Sequence, residues 1–275
     1  MRNTFLLLAG FVLIACTEKF VPAENNPYVP PQGRCVFRAE VSPISGAWVW
    51  DAAHDRAGVY GSNVSNAMFC PRAAFDGASG AAELIGEGVT GDAFAYIPYR
   101  PEGVDALASG CVPLPAEQRY FRDAASQIEG NELLVARADE DGLLRFSHRC
   151  GALHIRLKIN LGENVQSVSL SANEPLCGWF DISGGGEVLH ASRSVRVTGM
   201  DSPCSESAPQ DVWVMLPEGT YTGLFVTVAG STESISTIIE GRFEIAACRE
   251  TSVSASEQKN HYGGSEFEAE EVQYD

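Results

Sequence analysis

Leu153-His154-Ile155-Arg156-Leu157-Lys158-Ile159 decides the fold: four branched aliphatics at odd positions alternate with three ionisable side chains at even ones. Successive side chains of a strand point to opposite faces, so this run makes a half-buried strand with one wet face. The pattern continues C-terminally. Val165, Val168 and Leu170 begin another strand, and Trp179–Ile182, Val188–His190 and Val195–Val197 follow in the same style. Val212–Leu216 is a continuous apolar run, which predicts a central strand, and Pro217–Thr220 reads as a turn. Leu224, Val226 and Val228 then alternate with Phe225 and Thr227, and Ile235–Ile239 and Phe243–Cys248 complete the half. Towards the N-terminus, strands are predicted at Cys35–Val41, Ala47–Trp50, Gly58–Gly61, Ala82–Ile85, Phe94–Tyr99, Leu133–Ala136 and Leu143–His148. Ala116–Gln127 has room for one or two helical turns. Short strands between Gly, Pro, Asn and Asp clusters, with no sustained 3.6-residue stripe, predict an all-β protein of sandwiches or barrels. Apolar parity changes between Phe146 and Leu153, near Gly151. A strand keeps its parity unless it bulges or breaks, so the junction between an N-terminal unit (34–150) and a C-terminal unit (151–249) is placed there.

Ahead of these units stand Arg2, an apolar run from Phe5 to Ile14, then Ala15 and Cys16. A basic start, an apolar stretch and a small residue form an export signal, with cleavage predicted after residue 15. A cysteine at the next position resembles a bacterial lipobox, in which Cys16 is acylated; the plainer alternative is an ordinary export signal. Two or more acyl chains hold a protein stably on a bilayer. Residues 16–33 carry four prolines and read as an extended tether of roughly 50 Å. No later stretch is long and apolar enough to span a bilayer. The formal net charge is −17, which argues against nucleic acid, whose phosphates require Lys and Arg. Seven cysteines follow Cys16, at wide spacings without a CxxC pair. They read as buried small apolar residues and fix no particular disulfide.

Chemistry-bearing motifs are sparse. His148, Cys150 and His154 share strand parity, but the break at Gly151 separates them and no fourth zinc ligand stands out. Asp139-Glu140-Asp141-Gly142 lacks the spacing of a calcium loop and reads as an acidic hairpin turn. Gly184-Gly185-Gly186 precedes a strand, not a helix, so it is no phosphate cradle. There is no Gly-x-Ser-x-Gly elbow, and the carboxylates are scattered. The expectation is therefore no catalytic residue, no metal and no cofactor. Residues 250–275, rich in Ser, Glu and Gln, read as an acidic tail. Within it Phe267, Ala269, Val272 and Tyr274 mark a second reading, a detached donor strand, although Phe267 and Val272 fall on opposite faces.

Trp50, Asp55 and Gly58-Val59-Tyr60, followed by Phe75 and Gly77, resemble the opening signature of the fimbrillin-like family. Phe94-Ala95-Tyr96-Ile97-Pro98-Tyr99, Leu114-Pro115 with Gln118 and Tyr120, and Leu134-Val135-Ala136 are similar to later parts of that family's N-terminal domain. Leu144-x-Phe146-x-His148-x-Cys150-Gly151-Ala152-Leu153 looks like its inter-domain strand, and Leu176-Cys177-Gly178 and Met215–Tyr221 match its C-terminal domain. The resemblance implies two tandem transthyretin-like β-sandwich domains in a surface lipoprotein related to type V pilus subunits. It also implies that an Arg-specific protease removes the first strand, so that the groove accepts a strand from the next subunit, with backbone hydrogen bonds supplying affinity.

The sequence departs from that pattern. Ser42–Asp55 holds no Arg or Lys, so processing would fall at Arg38, inside the first strand, or at Arg56, beyond Trp50. Two functions follow as expectations. The first is a non-enzymatic pilus structural, anchor or accessory subunit on the outer membrane, held by acyl chains on Cys16. Its partners are other pilus subunits, through strand addition, and a host or bacterial surface receptor. The alternative is a glycan-binding surface lipoprotein with Trp48, Trp50, Trp179 or Trp213 stacking on sugars. For Trp50 and Trp213, set in apolar runs, core packing is the plainer expectation.

Overall fold

A computed structural model of the chain describes residues 33–42, 44, 48–74, 80–101, 111–181, 188–256, 258–259, 265–266 and 269–272. The first strands are β1 (Arg34–Val41), β2 (Ala57–Tyr60), β3 (Ala67–Ala74), β4 (Ala81–Glu87), β5 (Phe94–Ile97), β6 (Cys111–Leu114) and β7 (Glu117–Arg119). Helix α1 (Ala124–Asn131) precedes β8 (Leu134–Arg137) and β9 (Leu143–His148). Then come β10 (Cys150–Lys158), β11 (Asn164–Ser171), β12 (Cys177–Asp181), β13 (Val188–Ser192), β14 (Ser194–Pro203), β15 (Gln210–Pro217), β16 (Gly219–Ala229) and β17 (Ser234–Ile245). The chain ends with β18 (Glu250–Ser256), β19 (Gln258–Lys259), β20 (Ser265–Glu266) and β21 (Ala269–Val272). It is the nearly all-β architecture that the alternating sequence predicts.

Seven strands of the first half, in the order β1-β4-β3-β2-β5-β8-β9, close into a flattened barrel because β9 returns to pair with β1 in parallel. β3 turns the corner between the two faces, pairing with β2 on one side and β4 on the other, and its register slips between Pro71 and Ala74. Proline has no N–H to give to a ladder, so it belongs at such an irregularity. Alternation puts Phe37, Ala39 and Val41 of β1 inside with Val59, Phe69, Leu84 and Leu144. Trp48 and Trp50 fill the same core from the segment before β2. Of that segment, predicted as a strand, the described residues 48–50 form none; it is anchored instead by Trp50 Nε1 donating to Gly80 O at 2.8 Å.

The second half is built on a sandwich of two open sheets, β15-β10-β18-β21 and β17-β16-β11-β14-β7, with a smaller three-stranded sheet β13-β12-β6 beside them. Leu153, Ile155 and Leu157, the dry face of the opening motif, are fully buried against Val168, Leu170, Val197 and Val226 of the facing sheet. Three expectations are corrected. Val212–Leu216 lies on β15, which is an edge and not a central strand; it is apolar throughout because both its faces are covered. Residues 250–256 do not begin a tail but form β18, parallel to β10, with Val253 and Ala255 buried. Two small side chains suffice there, since the neighbouring strands supply the rest of the core. The two segments predicted at Ile235–Ile239 and Phe243–Cys248 belong largely to one strand, β17, which bulges where Thr222 and Leu224 of β16 face Arg242 and Ile239. Gly241 takes a φ of 117° at that bulge, which a side chain would resist.

A third core joins the halves. Cys150, Ala152 and Met215, on the outer face of β10 and β15, pack with Tyr60 and Tyr96 of the barrel, Val112 and Leu114 of β6, Ile128 of α1 and Phe180 of β12. The segment 111–131 hydrogen-bonds into the second half: β6 pairs with β12, and β7 with β14. Gln118 closes the free edge of β15 with its side-chain amide, donating to Met215 O at 2.7 Å and accepting from Met215 N at 2.9 Å. Gln127 Nε2 donates to Trp213 O at 2.7 Å one pair further along. The helix starts later than the predicted Ala116–Gln127, because Glu117–Arg119 are taken by β7; Asp123 caps it, accepting from Ser126 N at 2.8 Å. Gly151 lies inside β10, and an added Cβ would meet Ala246 O and the Ile245 side chain. The chain's parity changes instead at Arg149, between β9 and β10.

Candidate functional site: the first strand and its latch

β1 is the element on which strand exchange would act, so its attachments define the site. It is hydrogen-bonded along both edges. Arg34 to Glu40 pair with Glu87 to Ala81 of antiparallel β4, and Arg38 to Val41 pair with Leu143 to Phe146 of parallel β9. Arg38 stands where the second ladder begins, its side chain exposed and its backbone N–H donating to Gly142 O at 3.2 Å. Beside it Arg145 bridges Glu40 at 3.4 Å and Asp139 at 3.2 Å on the outer surface.

The exit of β1 is latched from inside. Val41 N donates to Gly80 O, which also accepts from Trp50 Nε1. His148 Nε2 donates to Ser42 O, while its Nδ1 lies 2.8 Å from Glu132 Oε2. The side chains of this pair are only 3% and 1% exposed. The Nδ1 contact is ionic, since neither atom meets hydrogen-bond geometry. Burial works to lower the His148 pKa, but the Glu132 carboxylate outweighs it and holds the imidazole above its ordinary range. A cationic ring facing a carboxylate on one nitrogen and a carbonyl on the other is the state that satisfies both contacts. Glu132 caps the C-terminus of α1, so the latch ties the start of the chain to the helix that docks on β15.

Arg56 is equally occupied. Its guanidinium donates to Ala52 O at 3.2 Å and Ala53 O at 2.9 Å, and also to Asp55 O, closing the turn that begins at Asp51. At the other end of the chain, Ala269 and Val272 lie on β21, which pairs antiparallel with β18 of its own chain (Ala255 with Ala269, Ser252 with Val272). Phe267, Tyr274, Cys16 and Gly184–Gly186 lie outside the described residues.

The other sequence candidates are dispersed. Trp48 and Trp50 are buried and meet edge to face, with centroids 5.8 Å apart. Trp179 is half-buried on β12. Trp213 stacks on His154 at 4.4 Å, and its Nε1 donates to Glu250 at 3.1 Å. His154 itself bridges Asp211 at 2.9 Å and Glu250 at 3.3 Å, whereas His148 faces Glu132, so the two histidines of the His148, Cys150 and His154 series go to separate carboxylate sites. Among the described residues no cluster of three His, Cys, Asp or Glu is placed to hold a metal. Asp139 is the predicted hairpin turn: its carboxylate accepts from Leu143 N at 2.8 Å and Asp141 N at 3.0 Å, which holds its pKa below the usual range. Sequence reading missed the latch because Glu132 ends a helix that only tertiary contacts place beside His148.

No protein-family model matches the chain, and no curated protein does. Among solved structures it is similar to a candidate cell adhesion protein from Bacteroides ovatus, at 14% identity over 86% of this chain and 95% of the other, with a TM-score of 0.52. Solved structures that the chain resembles include fimbrial proteins and further candidate cell-adhesion proteins, in accord with the fimbrillin-like resemblance. They include the fimbrial anchor protein Mfa2 of Porphyromonas gingivalis, at 16% identity over 85% of this chain and 95% of that one, TM-score 0.39. The tip fimbrial protein Mfa3 of the same organism, with C-terminal truncation, matches at 9% identity over 89% and 100%, TM-score 0.38. At these identities the likeness to the Bacteroides ovatus protein establishes the β-sandwich fold.

Proposed function

We propose that this protein is a non-enzymatic fimbrial subunit that keeps its first strand and serves as an anchor or accessory member of a surface filament. One observation carries the reading: β1 is paired with β4 from Arg34 to Glu40 and with β9 from Arg38 to Val41, and Arg38 and Arg56, the two places where an arginine-directed cut would release it, are both engaged in structure. A protease needs several residues in extended, unpaired form, and neither arginine offers them. Without that cut the barrel presents no groove for a neighbour's strand, and the subunit cannot extend a filament from that side. Its contribution to assembly then comes from the other end. β21 sits at the outer edge of its sheet and is the strand most easily exchanged for addition to a neighbouring subunit. Two acyl chains on Cys16 and the proline-rich tether would hold the body at the outer membrane, facing subunits and surface receptors.

The test is the mature N-terminus of protein taken from producing cells. Mass spectrometry is expected to find a chain starting at an acylated Cys16 and retaining Cys35–Val41. A chain starting at residue 39 or 57 overturns the reading. Electron microscopy of cell-surface material gives the second arm: deletion of the gene should lengthen or release filaments, and unchanged filaments would remove the pilus role.

A further inference from the structure

Among the described residues four large apolar side chains are exposed, and two of them stand side by side. Phe225 of β16 (44% exposed) and Ile238 of β17 (50%) are register partners on the outer face of their sheet. An exposed cross-strand pair of an aromatic and a β-branched residue is the kind of patch that marks an interaction site. The row continues to Ser171 of β11 on one side and ends at the sheet edge on the other. Its surroundings are polar and already satisfied. The Thr227 and Ser236 hydroxyls bond to each other at 2.9 Å in the adjacent row, and Thr222 Oγ1 donates to Glu174 at 2.6 Å.

The edge beside Ile238 lacks the usual protection. Ser234-Ile235-Ser236-Thr237-Ile238-Ile239 contains no charge and no proline, and no described strand pairs with its outer side. The bulge at Gly241 guards only the residues beyond Ile239. An open, uncharged edge that bears an apolar side chain is a template for another strand. A second copy of this chain fits it by charge and by pattern. With Ile238 opposite Ile238 of the second copy, Thr237 meets Ile239 and Ser236 meets Glu240, so no like charges are opposed. The same alignment sets Phe225 and Ile238 of both copies in one row of four apolar side chains across the joint. The other edges do not offer this. β15 is covered, β7 has three residues, and β21 carries Glu270 and Glu271, which two copies would set against their like.

We infer that two copies of this chain pair edge to edge along β17, antiparallel, with a two-fold axis at Ile238. One patch then serves both copies, as a two-fold interface requires. The ladder is short, bounded at each end by a Gly241 bulge, and contacts of that size make reversible dimers rather than permanent ones. This stands apart from the filament reading, since it uses an edge that neither β1 nor β21 forms.

The experiment is sedimentation equilibrium on purified Cys16→Ser protein, from micromolar to millimolar concentration. A monomer–dimer equilibrium is expected. Ile238→Lys should weaken it at least about tenfold, because two lysines would face each other across the axis. Met68→Lys, at an equally exposed position on the barrel, should leave it unchanged. Unaltered thermal unfolding of Ile238→Lys separates loss of pairing from loss of fold. Cysteine placement reports the arrangement. With the exposed Cys248 changed to Ser, Ile238→Cys should give a disulfide-linked dimer under mild oxidation, since opposed strand positions lie about 5 Å apart. Phe225→Cys should not, because its two positions are three strand spacings apart, roughly 14 Å. A monomer at every concentration, or a dimer indifferent to Ile238→Lys, would overturn the assignment. So would crosslinking through Phe225→Cys as readily as through Ile238→Cys, which would mean stacked sheet faces.

Discussion

The barrel and the sandwich treat their last strands in opposite ways. In the first half, β9 closes on β1 and the barrel has no free edge. In the second half the two sandwich sheets stay open, and their four edges are managed one by one. β15 is covered by Gln118 and Gln127, β17 is bulged near Gly241, β7 is only three residues long, and β21 lies outermost on its sheet. Cover, bulge and brevity are the standard protections of a sheet edge. The difference teaches where exchange can happen. A closed barrel must lose a covalent piece before it accepts a strand, whereas an open sheet can trade its outermost one.

The largest expected effect tests the latch that seals the barrel. His148→Ala should cost about 3–5 kcal/mol, because it leaves the Glu132 carboxyl, whose pKa burial already raises, buried without its partner. Adding Glu132→Gln should recover part of that loss. A double variant as unstable as the single one, measured by urea denaturation, would break the idea that charge and not packing is at stake. Next come paired core truncations, Leu84→Ala in the barrel and Leu157→Ala in the sandwich, each expected to cost about 2–5 kcal/mol. Both side chains are fully buried. Because α1 and the third core tie the halves together, both truncations should shift one common transition. Two separated transitions, each moved by only one variant, would show that the halves fold independently.

A smaller effect sharpens the edge comparison. Gln118→Ala uncovers Met215 N–H and C=O on a buried edge and should cost about 1–3 kcal/mol. A variant as stable as the parent would mean that β15 needs no cover. The smallest effect depends on pH. His154 ties β15 to β18 through Asp211 and Glu250; burial works to lower its pKa, but the two carboxylates prevail and raise it. A raised folded value means that the contribution is complete below the ordinary histidine range, about 6.5, and fades as pH climbs through the folded value. It should stay below about 1 kcal/mol, since water reaches all three groups. The advantage of the parent over His154→Asn in urea midpoint should therefore shrink between pH 5.5 and 8.5. An advantage that grows with pH would reverse the assignment.

Most strands were legible because their reading is local. Leu153–Ile159, Leu224–Val228 and Cys35–Val41 each carry a dry and a wet parity, and each forms a strand with that parity buried. β3, β6, β7 and β18 were not legible. Their side chains are small or mixed, and they are strands because neighbours offer hydrogen bonds, as β10 does for β18. Val212–Leu216 misled for the converse reason: a continuous apolar run reports cover on both faces, and cover comes from a helix and amides as well as from flanking strands. The arginines were legible as residues at unusual positions, but not their captivity in a ladder and a turn.

What the sequence by itself determined is the β class and the alternation that faces each strand to its core, since these depend on residue type and spacing alone. What only the tertiary structure decided is closure of the barrel, the buried His148–Glu132 latch and the mortise of Gln118 into β15. Each joins residues from separate segments, and a pairing register or a buried contact exists only once chain entropy has been spent to bring those segments together.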